Sequence, residues 1–291
     1  MRRFLTVFLL LICASSAFAQ IDTTKWYVVN PIKDDGNWCH FTANQNVSGG
    51  YLTLTATSGS YACNPGGTGV PYATGMIFSL GSTPFSFTYG VAKARVKFGT
   101  AGNTIWSAFW MWGGGAGSNG APATCLANVQ APGNTMNACT VGTSTPSYEI
   151  DIAEDRQSTT TTYSNYLTWV NGASTPGSAV LCTPSSDIGS GFHIYELDWY
   201  PNLLVYKVDG LTCGTQAISI SVPMFLIFDT EQPSSSTATT TTVDWVRVCS
   251  SPTAQCNPGD STMIFDDEFN NGVAAVKHSV QGEKKQGAKI Q

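Results

Sequence analysis

The chain has 291 residues, room for one large domain or two small ones, and 42 % of them are hydrophobic, which excludes a disordered chain. Charged residues make up only 11 %, less than half the usual ~25 %; 29 Gly with abundant Ser, Thr and Asn fill the gap, which excludes an all-α protein. The net charge of −5 excludes the basic footprint of a nucleic-acid binder.

In chain order, the first segment reads as an address. Arg2 and Arg3 precede an apolar stretch from Phe4 to Cys13, and Ala17-Phe18-Ala19 follows as a small-residue cleavage site. This pattern predicts a signal peptide over 1–19 and a secreted protein, extracellular or periplasmic. The apolar run is too short to span a bilayer and no later one reaches ~18 residues, so no membrane association is expected after cleavage.

Alternating runs bounded by turn residues then predict strands over 50–56, 85–98, 105–112, 148–153, 163–170, 193–199, 203–208, 224–228 and 241–248. Many short strands with Gly- and Pro-rich connections predict an all-β sandwich or barrel. The Thr-rich stretches 158–162 and 234–242 read as exposed edge strands or loops, with a glycan-bearing linker as the alternative. Residues 277–291 are polar and predict a disordered tail.

Nine Cys occur, one of them in the leader. An even remainder of eight in an exported chain predicts disulfides. Nearest-neighbour pairing closes the shortest loops: Cys39–Cys63, Cys125–Cys139, Cys182–Cys213 and Cys249–Cys256. The absence of any CxxC pair and the presence of only three His argue against zinc.

The densest chemical signal is Tyr148-Glu149-Ile150-Asp151-Ile152-Ala153-Glu154-Asp155. On a strand, Tyr148, Ile150 and Ile152 face a core while Glu149 and Asp151 share the other face. Simple alternation would bury Glu154, which is costly for a carboxylate; a β-bulge near Ala153 returns it to the polar face. Three acids in a row supply what a retaining glycosidase needs, one ionised carboxyl and one protonated, and neighbouring like charges separate the two. An acidic edge strand or a calcium site accounts for the same pattern.

Glu149-x-Asp151-x-x-Glu154 resembles the catalytic signature of glycoside hydrolase family 16 in its bulged, laminarinase-like form. Tyr89-Gly90 with Ala94-Arg95-Val96-Lys97, Trp106-Ser107-Ala108-Phe109-Trp110-Met111, Phe192-His193-x-Tyr195 with Trp199 and Asp209-Gly210, and Val243-Asp244-Trp245-Val246-Arg247-Val248 follow the family's order across 50–250. The resemblance implies a concanavalin-like jelly roll over 20–276, two curved antiparallel sheets with a substrate cleft on the concave face. Carried over by position, Glu149 is the nucleophile, Glu154 the general acid/base and Asp151 the residue that positions the nucleophile. The implied activity is retaining endo-hydrolysis of a β-1,3- or mixed-linkage glucan. A galactan hydrolase of the agarase or carrageenase type, a transglycosylase, and a lectin-like binder on the same fold are the alternatives. The expected partner is a polysaccharide, and the expected state a monomer.

Trp106 and Trp110, same-side neighbours on one strand, are the expected sugar-stacking residues, with Trp169 and Trp112 behind them. No cofactor is required, but the family often holds a structural Ca²⁺, here through Asp244 and a carbonyl near Gly50. The resemblance also favours the Cys39–Cys63 pair. His193 is expected to be structural. Thr168 stands where laminarinases carry a His near the acid/base. The family's opening strand, of Asp-Glu-Phe-Asn type, is matched by Asp267-Glu268-Phe269-Asn270 near the C-terminus, whereas Ile21-Asp22 to Trp26 opens the mature chain. This order implies a circular permutation in which 263–270 supplies the first strand.

Overall fold

The structure, a computed structural model, describes residues 20–29, 31–33, 38–63, 69–99, 106–114, 145–231 and 238–270. The expected leader, the Cys125–Cys139 pair and the polar tail lie outside the described residues.

Among the described residues are eighteen strands, one 3₁₀ turn at Thr42–Asn44 and no α-helix. No helix there is long and apolar enough to cross a membrane. One layer runs β4 (Gln45–Ser48), β5 (Tyr51–Ala62), β17 (Thr239–Cys249), β7 (Gly90–Lys97), β13 (His193–Tyr200), β14 (Leu203–Val208) and β15 (Leu211–Gln216), each antiparallel to its neighbour. The other runs β1 (Tyr27–Val28), β6 (Gly69–Phe78), β16 (Met224–Glu231), β8 (Trp106–Gly114), β9 (Ser147–Glu154) and β10 (Thr162–Val170). At its far edge β11 (Ala173–Pro176) and β12 (Val180–Cys182) share β10. β2 (Ile32–Lys33) and β3 (Trp38–His40) extend the first half of β6, where the long β5 also pairs with it and links the layers. The result is the expected all-β jelly-roll sandwich.

Alternation places the core between the layers. Leu52, Leu54, Ala94, Val96, Leu197 and Trp199 from one side meet Phe109, Met111, Ile150, Ile152, Leu226 and Phe228 from the other in one buried cluster. Each buried Val, Leu, Ile, Phe or Met among them contributes about 1.5–3 kcal/mol relative to exposure. β6 shows no strand signal in the sequence because its second half, from Ala73 to Phe78, is buried throughout and carries no alternation. Of the Thr-rich run, Thr239–Thr242 opens β17 beside β5, and Thr242 is also paired on its other side, with Lys97 of β7.

Gly90 shows why one glycine is needed. Its φ is +128°, and a Cβ there would sit 2.1 Å from the Cys249 carbonyl oxygen. Two predicted disulfides form, Cys182–Cys213 between β12 and β15 and Cys249–Cys256 after β17. Cys39 and Cys63 are buried together with Val70 in a small separate cluster.

β18 (Met263–Asp267) pairs with Val246–Cys249 of β17, beyond the point where β5 leaves that strand. It is tied to the other end of the chain. Trp26, fully buried, stacks on Phe269 at 5.8 Å and meets Phe265 edge-on at 5.6 Å. Its Nε1 donates to Asp267 Oδ2 at 2.7 Å, and Lys25 Nζ donates to the Asp266 carbonyl at 2.8 Å.

Candidate active site

The three carboxylates stand on β9, flanked by β8 and β10. Cross-strand partners share a face, and Glu149, Asp151 and Glu154 oppose Trp112, Trp110 and Ala108 of β8. Those β8 residues belong to a second apolar cluster on the side of the sheet away from the main core. Regular alternation would place Glu154 with Ile150 and Ile152. The register with β8 slips between Phe109 and Trp110, leaving an extra residue at Ile152–Ala153, and the register with β10 slips at the same place. This is the expected bulge, and it brings Glu154 to the face of the other two acids.

Each acid has its own partners. Glu149 accepts a hydrogen bond from Trp169 Nε1 at 2.8 Å. Glu154 accepts from Trp106 Nε1 at 2.7 Å through Oε1 and from Arg156 Nε at 3.0 Å through Oε2. Burial pushes the Asp151 carboxyl well above the usual range, and the charges of Glu154 and Glu149 add to the effect. The Asp151 carboxyl lies in side-chain hydrogen-bonding contact with both Glu149 and Glu154. Burial also raises Glu154, against the pull of Arg156 and the Trp106 N–H. One face thus holds Glu149, served by the Trp169 N–H, beside Asp151 and Glu154, two carboxyls that burial inclines to keep a proton, so that the three acids are unlike groups capable of acid–base chemistry.

The aromatic expectations divide. Trp106 and Trp169 are half-buried at this face, but their indole N–H groups are committed to Glu154 and Glu149. Trp110 stands opposite Asp151 but is only 7 % exposed: it packs edge-on against Trp112, and its Nε1 donates to Asp229 Oδ2 at 2.8 Å. Trp112 is buried as well and stacks on Trp169 at 5.7 Å, a platform that fixes the Trp169 ring.

Thr168 is corrected. It pairs with Tyr148, whose ring packs on the main core, so it turns from the acids; Tyr163 is the β10 residue opposite Glu154. Asp229 and Asp155 were missed. Asp229 also accepts from the Ala108 N–H at 2.9 Å, and Asp155 accepts from the Ser107 N–H at 3.1 Å, so the first holds β8 to β16 and the second ties β8 to the turn after β9. The alternation of β16, Asp229 opposite Ala108 and Glu231 opposite Trp106, was the signal that would have found Asp229.

The residues expected to hold calcium lie elsewhere. Asp244 on β17 is ion-paired through Oδ2 with Arg95, whose guanidinium also covers the Phe192 ring at 4.3 Å, and Gly50 sits in the turn between β4 and β5. A guanidinium on the carboxylate that would bind the ion does not fit calcium. No group of three or more His, Cys, Asp or Glu able to hold a metal occurs among the described residues. His193 sits on β13 in the opposite layer, Nδ1 2.7 Å from Asp209 Oδ2 and Nε2 3.2 Å from Ser186 Oγ, where it pins the β13–β14 hairpin.

Solved structures share this architecture. The catalytic domain of an endo-1,3-β-glucanase (laminarinase) from Thermotoga petrophila RKU-1 aligns with a TM-score of 0.59 at 20 % identity, over 79 % of this chain and 92 % of that one. The fold is that of the laminarinases and lichenases. A β-1,3-1,4-glucanase (lichenase) from a mouse hindgut metagenome gives 0.58 at 20 % identity, over 81 % of this chain and 96 % of its own. A 1,3-α-1,4-β-D-galactose-4-sulfate-3,6-anhydro-D-galactose 4 galactohydrolase gives 0.59 at 19 %, over 79 % and 90 %. No protein-family model and no curated protein matches the sequence.

Proposed function

We propose that this protein is an exported, monomeric, retaining endo-glycosidase that cleaves β-1,3- or mixed-linkage β-glucan by double displacement. The observation that carries the reading is the bulge at Ile152–Ala153, which gathers Glu149, Asp151 and Glu154 on one face with different partners. In the first step the Glu149 carboxylate attacks C1 of the sugar while Glu154 gives its proton to the departing glycosidic oxygen. In the second, Glu154 takes a proton from water as the water oxygen displaces Glu149 from C1. Asp151, protonated between them, hydrogen-bonds the nucleophile and spares the face a third negative charge. A lectin on this fold would have no use for such a triplet. Two disulfides suit an oxidising compartment, in keeping with the leader pattern.

Reducing-sugar release from laminarin, lichenan, agarose and carrageenan tests the substrate. Release from the first two is expected; release confined to the last two would move the assignment to a galactan hydrolase. Glu149→Gln should lower turnover by roughly three orders of magnitude or more while leaving oligosaccharide binding intact. Undiminished turnover would remove Glu149 as nucleophile, and a product of inverted anomeric configuration would remove the two-step mechanism.

A further inference from the structure

The turn after β9 brings a cation back onto the catalytic face. Asp155 builds that turn. Its backbone N–H donates to the Ser107 carbonyl at 3.0 Å, its Oδ1 accepts from the Gln157 N–H at 3.3 Å, and its carbonyl accepts from the Ser158 N–H at 2.7 Å. Arg156 and Gln157 both take left-handed backbone conformations, with φ of +37° and +65°. Two consecutive non-glycine residues there cost on the order of 1–2 kcal/mol each, a strain that lasts only where the surrounding structure imposes it. The turn delivers one side chain to one acid. Arg156 Nε and Nη2 both reach Glu154 Oε2 at 3.0 Å, and the guanidinium lies between the rings of Trp106 and Tyr163, 5.2 and 5.4 Å from their centres. With Trp106 Nε1 on Oε1, both oxygens of Glu154 are held.

We propose that Arg156 is a positioning residue for Glu154, fixing its carboxyl between Trp106 and Tyr163 and supporting its carboxylate form so that one group serves in turn as acid and as base. The proposal rests on the role given to Glu154 above. A retaining cycle needs Glu154 protonated when the leaving group departs and ionised when water attacks. Burial favours only the first condition. The groups that face Glu154 are Glu149 and Asp151 on its own strand, Asp155 and Arg156 in the turn, Tyr163 on β10, and Asp229 and Glu231 on β16 beyond β8. In this set Arg156 is the cation, the counterweight to burial that the second step requires. The Arg156 side chain is about one-third exposed (34 %) and the Glu154 side chain 7 % exposed, so water screens their attraction only in part.

The test combines a carboxyl titration with kinetics in Arg156→Gln and Arg156→Lys. Glu154 is followed by ¹³C NMR of side-chain-labelled Glu, assigned with Glu154→Gln, and the pH profile of kcat/KM is measured on the polysaccharide cleaved best. In Arg156→Gln the Glu154 midpoint should rise by about 1 unit or more, with the alkaline limb of kcat/KM following it. Arg156→Lys should restore most of the shift, since the charge remains. A midpoint that stays in place in Arg156→Gln overturns the proposal, as does a uniform loss of kcat/KM with the limb unmoved. A midpoint that moves in a protein releasing sugar from no polysaccharide overturns instead the glycosidase reading on which the proposal rests.

Discussion

The indole N–H groups of Trp106 and Trp169 end on Glu154 and Glu149, and this changes what those side chains are expected to do. Trp169→Phe keeps an aromatic ring on Trp112 but removes the donor to Glu149. A hydrogen bond to a charged group contributes about 1.5–3 kcal/mol, so kcat should fall roughly ten- to a hundredfold with KM little changed. A rise in KM alone would return Trp169 to sugar stacking. Asp155 gives a second expectation. Burial raises its carboxyl well above the usual range, so the folded chain keeps a proton that the unfolded chain releases. Stability is therefore full below the ordinary carboxylate range and is lost as pH rises from there toward the raised value, by up to about 1.4 kcal/mol per pH unit. Asp155→Asn keeps the acceptor for the Ser107 and Gln157 N–H groups and cannot ionise. In thermal melts it should match the parent near about pH 4 and exceed it near about pH 8. Equal losses at both values would count against a buried neutral acid.

β9 would be an ordinary strand without its bulge, and β18 an ordinary tail without Trp26. β18 lies beside the far half of β17, with Phe265 and Phe269 in the main core against a residue more than 230 positions earlier, as the 241-residue separation of Trp26 and Asp267 records. We propose that β18 stands in the place the family fills from the N-terminus. If so, residues 263–270 should function when moved ahead of Ile21 through a short Gly-Ser linker, since the Lys25–Asp266 and Trp26–Phe269 contacts already bring the segments together. The rearranged protein should melt near the parent. Removal of 263–291 without replacement deletes two core Phe, Phe265 and Phe269, each worth about 3–5 kcal/mol, uncovers Trp26, and should lower Tm by more than about 10 °C. A truncated chain that melts with the parent would sink the idea.

The whole sandwich closes one core between its layers, and Cys182–Cys213 staples them across a separation of 31 residues. Arg95 takes the carboxylate of Asp244 where the family pattern pointed to an ion. A chelator should then leave thermal stability unchanged. A bound calcium at a hundredfold excess over its Kd would contribute about 2.7 kcal/mol, a loss of roughly 5–10 °C on removal, easily seen in a melt. Such a loss, reversed by calcium, would reinstate the ion.

Local pattern carried the strands with one buried face, the bulge and its three acids, because alternation and the cost of burying a carboxylate act within a few residues of chain. Leu203–Val208 was legible to the residue for that reason. β6, buried on both sides for half its length, gave no alternation to read. The partners of the acids were equally hidden. That Trp110 would bury against Asp229, that Tyr163 and not Thr168 would oppose Glu154, and that Arg156 would turn back onto the face were fixed by strand register and one left-handed turn. Those depend on which strands become neighbours, and no stretch of chain short enough to show a pattern contains that information.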